Sequence, residues 1–259
     1  MVDRSIQNLA KEFSVAEDTM NEFINRFSPK MVKDNAYASA SDTMLFVHIP
    51  KTAGVSIGKS FQSTFDKFHG VQWDNIGPSF RQSTRLAAYG QSHQELRQVI
   101  MGHFGWREIQ LWRNHEMGIK VGTIFRDPVE RMISNFNYNR SNVHPGHEAF
   151  NKQFPTIEGY VRAVDLDFQI TQAVGFISSF DEALRKFIKY YTFLGITEML
   201  SESLDHLSRS HGLGRMREHR ENIGRNKIST VSDEVISLIR SRSHNDLKLH
   251  RLLMTIYRI

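Results

Sequence analysis

The chain reads as an α/β protein: a P-loop-like, three-layer fold whose central parallel sheet is flanked by helices. Three observations predict this. Short apolar runs recur at MLFVHI (44–49), IKVGTIF (119–125) and TFLGITEML (192–200), each short enough for a buried strand. A loop of small or special residues follows the first two, PKTAGVS after one and RDP after the other. Each loop then opens into a segment of helical character. Strands and helices alternating in this way build a parallel sheet with ligand sites at the strands' carboxyl ends.

The 259 residues suffice for one large core without a staple. There is no cysteine, which excludes disulfides, thiolate zinc sites and cysteine nucleophiles and fits a reducing compartment. No histidine cluster has metal-ligand spacing, so no metal is expected. A net charge of +5 and a pI near 9.4 suit an anionic ligand but are too mild to indicate nucleic acid.

Residues 1–40 form a helical extension, with Ile6, Leu9, Phe13, Met20, Phe23, Ile24 and Phe27 at helical spacing before Pro29. Charges run throughout its first twenty residues, so it lacks the apolar stretch of a signal peptide. No run approaches the roughly 20 apolar residues of a membrane span. A soluble, cytoplasmic protein is expected, with the main domain at 41–259. Within it MLFVHI is a strand and IGKSFQSTF a helix. Residues 66–93, with Gly70, Gly77, Pro78 and Gly90, read as an irregular surface segment. QVIMGHF (98–104) is a short strand ending at His103. IKVGTIF is a stronger one, and Pro128 then opens a helix where its missing N–H costs nothing. Residues 141–180 are mixed and helical in part. TFLGITEML runs from strand into helix. The basic, glycine-containing segment 212–230 reads as a mobile loop. DEVISLIRSRSHNDLKLHRLLMTIY is a last helix, with its apolar residues at helical spacing.

Chemistry concentrates in HIPKTAGVS. A helix starting straight after a strand presents unpaired N–H groups and the positive end of its dipole to an anion. Lys51 adds a mobile charge, Thr52 and Ser56 add hydroxyls, and Gly54 lets a phosphate approach the backbone. An overlapping run, AGVSIGKS (53–60), satisfies a relaxed Walker A pattern. Two features oppose that reading. A Pro-Lys-Thr step separates strand from loop, which puts Gly58 and Lys59 inside the helix. The second good strand ends in Arg126 rather than in an acidic magnesium ligand.

HIPKTAG followed by FRDPVERMISNF resembles the sulfotransferases that use 3'-phosphoadenosine-5'-phosphosulfate (PAPS), most closely the branch of heparan-sulfate 2-O-sulfotransferases and related carbohydrate enzymes. The order of motifs extends over residues 44–259; the specific signal lies in the two short segments. The resemblance implies that Lys51, Thr52, Ala53, Gly54, Val55 and Ser56 bind the 5'-phosphosulfate, with Lys51 at the bridging oxygen. Val55 stands where many relatives have threonine. Arg126 and Ser134 would hold the 3'-phosphate, Arg126 through its fork of donors. Asp127 and Arg131 read as structural, a helix-start acid and an ion-pair partner. His103, in MGHFGW, matches the segment that carries the catalytic base in that branch, and an imidazole suits removal of a hydroxyl proton. His48 belongs to the loop and orients it. In the basic segment with Arg217, Arg220 and Asn222, Arg225 and Lys227 would close over the nucleotide. Trp73, Trp106, Tyr138 and Arg140 suit a sugar or aromatic acceptor.

The implied reaction moves a sulfuryl group from PAPS to a hydroxyl or amine of an acceptor such as a carbohydrate or a metabolite, by in-line displacement without a metal. Two other functions stay open. One is an ATP-dependent phosphotransferase or triphosphatase built on AGVSIGKS, and the other is a PAPS-binding protein without turnover.

Overall fold

The computed structural model describes residues 2–39, 42–72, 74–93, 96–113, 119–164, 167–217, 219 and 231–258. Two amphipathic helices come first, α1 (Val2–Phe13) and α2 (Glu17–Phe27). The α/β part follows as β1 (Asp42–Val47), α3 (Gly54–Gln62), β2 (Lys67–Val71), α4 (Ile76–His93), β3 (Arg97–Gly102), α5 (Trp106–Arg113) and β4 (Lys120–Phe125). Then come α6 (Pro128–Arg140), α7 (His147–Gln153), α8 (Ile157–Ala163), α9 (Phe168–Val174), α10 (Phe180–Tyr190) and β5 (Phe193–Ile196). A single 3-10 turn, Thr197–Met199, leads into α11 (Leu200–His211), and α12 (Asp233–Arg242) and α13 (His244–Arg258) complete the described chain.

All strand pairs are parallel, in the order β2-β3-β1-β4-β5. Alternation along each strand divides the core into two layers, because successive side chains point to opposite faces. Leu45, Val47, Ile100, Val121, Phe125, Leu194 and Ile196 face one side, where Phe23 and Phe27 of α2, Ile170 of α9, Phe187 of α10 and Leu252 of α13 cover them. Met44, Phe46, Val99, Met101, Ile124 and Phe193 face the other, against Ile57 and Phe61 of α3 and Leu204 and Leu207 of α11. With both faces buried the strands read as apolar runs, which is why they were visible in the sequence. This is the three-layer α/β architecture expected there. Helices α1 and α2 belong to the first layer. A separate cluster of Val129, Met132, Phe136, Tyr160, Val161, Val235 and Ile239 supports α6 from α8 and α12.

Two expectations are corrected. Residues 66–93 are largely regular: an edge strand, β2, and an 18-residue helix, α4. Gly77 and Pro78 lie in the first turn of α4, where proline removes no helical hydrogen bond, and β2 is half-polar because only one neighbour covers it. The last helix is two helices. The break falls at the buried Ser243, whose φ of −125° and ψ of 44° leave the helical region, and Asp167 caps the new start. Its Oδ1 accepts from the N–H groups of Asn245 at 2.7 Å and Asp246 at 2.9 Å. Asp246 returns the favour to α9, accepting from the N–H groups of Gln169 at 3.0 Å and Ile170 at 2.9 Å.

From β1 the chain moves toward the β2 edge, and from β4 it moves toward β5. The direction of winding therefore changes between β1 and β4. A crevice opens at the carboxyl ends of such neighbours, and ligands of doubly wound sheets bind there.

Candidate functional site

The loop leaving β1 turns through two left-handed residues, Lys51 at φ 73° and Ala53 at φ 62°. Neither is glycine, so the turn stores backbone strain of the kind that collects at functional sites. Thr52 closes it: both its N–H (3.3 Å) and its hydroxyl (2.8 Å) donate to the Ile49 carbonyl. Thr52 thus braces the loop from within. Ala53 is the N-cap of α3 and has no side chain to offer, so the first-turn N–H groups of Gly54, Val55 and Ser56 have no side-chain acceptor. Asp127, Thr156, Ser179 and Ser232 cap α6, α8, α10 and α12, whereas α2, α7, α9 and α11 share with α3 the lack of a side-chain cap. The uncapped start at α3 leaves donors for an external anion. Gly58 and Lys59 lie within α3, with Lys59 exposed in its last turn, which removes the geometry a Walker A lysine needs.

Arg126 follows β4 directly and is anchored on every side. Gln169 Oε1 accepts from the Arg126 N–H at 3.0 Å, while its Nε2 donates to the Arg126 carbonyl at 2.9 Å. Thr197 Oγ1 donates to the Phe125 carbonyl at 3.0 Å, and the Asp127 N–H donates to Glu198 Oε1 at 2.8 Å. Asp127 caps α6 through the N–H groups of Val129 and Glu130, the structural role read for it from the sequence. Arg131 is buried with its guanidinium 4.7 Å from the centre of the Phe168 ring.

Thus fixed, Arg126 reaches across the crevice, and its Nη1 donates to the Lys51 carbonyl at 3.2 Å. Among the described residues the counter-charge beside it is Glu130, in the first turn of α6, at 3.5 Å and largely exposed. Desolvation, then the Arg126 guanidinium, holds the Lys51 ammonium below the ordinary lysine range. Two cationic side chains with little neutralisation make an environment that favours an anion.

His103 is the first residue past β3. Its Nδ1 lies 2.8 Å from the His48 carbonyl oxygen. A carbonyl only accepts, so Nδ1 carries the proton and the neutral ring keeps a lone pair on Nε2. Desolvation pushes the His103 pKa down, with the bond to His48 opposing. The ring stacks on that of His48, centroids 4.3 Å apart. Desolvation, then His103 and Lys51, take the His48 pKa down to about 3, so His48 is neutral and serves as packing. Gln172 of α9 donates from Nε2 to the His48 carbonyl at 3.3 Å and to the Phe104 carbonyl at 3.2 Å. Gly54 is required by close approach: a Cβ there would lie 1.8 Å from His48 Nε2.

The structure therefore brings Lys51, the 53–56 helix start, His103 and Arg126 to one end of the sheet. Ser134 is half-buried on α6, and Tyr138, one turn further on the same helix face, meets Lys51. Arg225 and Lys227 lie outside the described residues, as do Trp73, Arg220 and Asn222. A groove of about 980 Å³ lined by Lys30, Arg209, Met216, Arg217 and Tyr257, among others, shares no residue with this cluster.

No family model matches the chain, and no curated protein does. Among solved structures, the chain is similar to the crystal structure of mouse sulfotransferase SULT7A1 complexed with PAP. The TM-score is 0.39 at 16% identity, covering 82% of this chain and 69% of that one. No helix among the described residues is long and apolar enough to cross a membrane.

Sequence reasoning missed Gln169, Gln172, Thr197 and Glu198. A signal existed for the first: in FQITQAV, Gln169 adjoins Ile170 and shares its buried face with Ala173, and a polar residue on a buried helix face needs a partner.

Proposed function

We propose that the protein transfers a sulfuryl group from PAPS to an acceptor hydroxyl. The observation that carries this reading is the Arg126–Lys51 contact at 3.2 Å. It ties the Arg126 guanidinium, past β4, to the backbone of the Lys51 loop, past β1, at the same sheet end as His103 with its lone pair on Nε2. A donor with phosphates at its 5' and 3' positions calls for two cationic subsites. The uncapped start of α3 with Lys51 suits the phosphosulfate, and Arg126 with Ser134 suits the 3'-phosphate.

PAPS supplies a sulfuryl group on a phosphate leaving group. His103 Nε2 takes the acceptor hydroxyl's proton as the new oxygen–sulfur bond forms. The bond from sulfur to the bridging oxygen breaks, its electron pair stays on the departing phosphate, and the Lys51 ammonium stabilises that growing charge. The His48 carbonyl holds the imidazolium produced on His103. Carbohydrate hydroxyls are the first acceptors to test, on the resemblance of the Gly102-His103 segment.

The test is transfer of radiolabelled sulfate from PAPS to a panel of polysaccharides, glycolipids and small alcohols, with and without chelator. Label transferred by wild type and lost in Lys51→Ala supports the proposal. Tight binding of adenosine 3',5'-bisphosphate with no acceptor labelled would leave a nucleotide-binding protein instead.

A further inference from the structure

Tyr138 projects from the last turns of α6, and the Lys51 ammonium sits 4.2 Å from the centre of its ring. The His144 ring packs edge-on against the same tyrosine, centroids 5.4 Å apart. The Ser141 hydroxyl donates to the Tyr138 carbonyl at 2.7 Å and the Ser141 N–H to the same oxygen at 3.0 Å, so the tyrosine stands on a closed turn. Lys51 is thus gripped twice, its carbonyl by Arg126 and its ammonium by Tyr138, and both residues belong to the β4–α6 unit. A lysine side chain free in a crevice would sample many rotamers and lose entropy on every encounter with a ligand.

From this geometry we infer that Tyr138 is a positioning residue, whose ring face holds the Lys51 ammonium by a cation–π contact rather than facing the acceptor. The inference deepens the proposed function, since it assigns the aim of the cation that serves the leaving phosphate. The face of the ring is what matters, not its hydroxyl. A cation over an aromatic face is favoured by the ring quadrupole, which stabilises the charged amine and opposes the desolvation that lowers its pKa.

The experiment uses the unliganded full chain. Lys51 acetylation by acetic anhydride is followed at fixed pH by peptide mass spectrometry, with exposed lysines such as Lys59 as internal reference. Tyr138→Phe keeps the ring face and labels as wild type does. Tyr138→Leu keeps bulk but loses the quadrupole, so more free amine is present and Lys51 labels about fivefold faster, the equivalent of about 1 kcal/mol. Equal labelling in all three proteins, or Phe behaving as Leu does, overturns the inference. In parallel, titration with adenosine 3',5'-bisphosphate separates the two claims. If wild type binds none, the sulfotransferase reading fails while the labelling still decides the role of Tyr138. If Tyr138→Leu and Tyr138→Phe both lose binding together, the residue contacts ligand and the positioning role is wrong.

Discussion

Gly54→Ala tests whether the Lys51 loop, His48 and His103 form one packed unit. A Cβ at position 54 would lie 1.8, 2.0 and 2.5 Å from His48 Nε2, Cε1 and Cδ2, far inside contact distance. The imidazole cannot swing aside cheaply, because it is stacked at 4.3 Å on His103. Overpacking of this kind costs about 1–3 kcal/mol. Gly54 opens α3 with helical backbone, so alanine would otherwise gain about 0.5–1 kcal/mol there. The net expectation is destabilisation of about 1–2 kcal/mol in wild type. With His48→Ala the clashing ring is gone, and the same glycine change becomes neutral or slightly stabilising. Urea unfolding of the four proteins in a double-mutant cycle reads the coupling, expected at about 2 kcal/mol. Equal effects of Gly54→Ala in both backgrounds, within about 0.5 kcal/mol, would refute the argument.

Three further outcomes follow from the same geometry. Lys51→Ala lowers the sulfuryl-transfer rate about 10²–10³-fold while the dissociation constant for adenosine 3',5'-bisphosphate changes far less; equal losses in both would remove its transition-state role. His103→Asn lowers the rate about 10²–10⁴-fold, and in wild type the rate holds through neutral pH. It declines only below the ordinary imidazole range, because a base with a depressed pKa stays unprotonated to lower pH; a decline centred at or above pH 6.5 contradicts the burial argument. Burial raises the Asp246 pKa from 3.8 to about 6, against its bonds from Ile170 and Gln169 and the nearby Arg131. A raised carboxyl binds more protons folded than unfolded, so stability of wild type relative to Asp246→Asn falls as pH rises from about 4 to about 6, by up to about 3 kcal/mol. A difference that is constant or grows with pH would show that burial does not raise the pKa of this carboxyl.

What the sequence disclosed, and what it concealed, follows from the range of the interactions. β1, β3 and β4 were legible because burial on both faces makes each an apolar run. Lys51, His103 and Arg126 were legible because each stands just past such a strand, where local order alone carries it to the sheet's carboxyl end. Hidden were features set by contacts between distant segments. The break at Ser243 depends on Asp167, 76 positions earlier, and the anchoring of Arg126 depends on Gln169 and Glu198. The use of Thr52's hydroxyl on Ile49 depends on the left-handed turn, which no sequence pattern signals in a loop whose left-handed residues are lysine and alanine. In α4, Gly77 and Pro78 looked like breakers only because the helix start they occupy was not recognised.

The central claim is that Lys51 and Arg126 hold the two ends of one bis-anionic nucleotide. Calorimetric titration of wild type and Arg126→Ala with adenosine 3',5'-bisphosphate, and separately with magnesium-ATP, measures it most directly. The geometry predicts tight binding of the bisphosphate to wild type, at least tenfold weaker binding in Arg126→Ala, and little affinity for ATP in either. Preference for magnesium-ATP, or bisphosphate binding indifferent to Arg126, would contradict it.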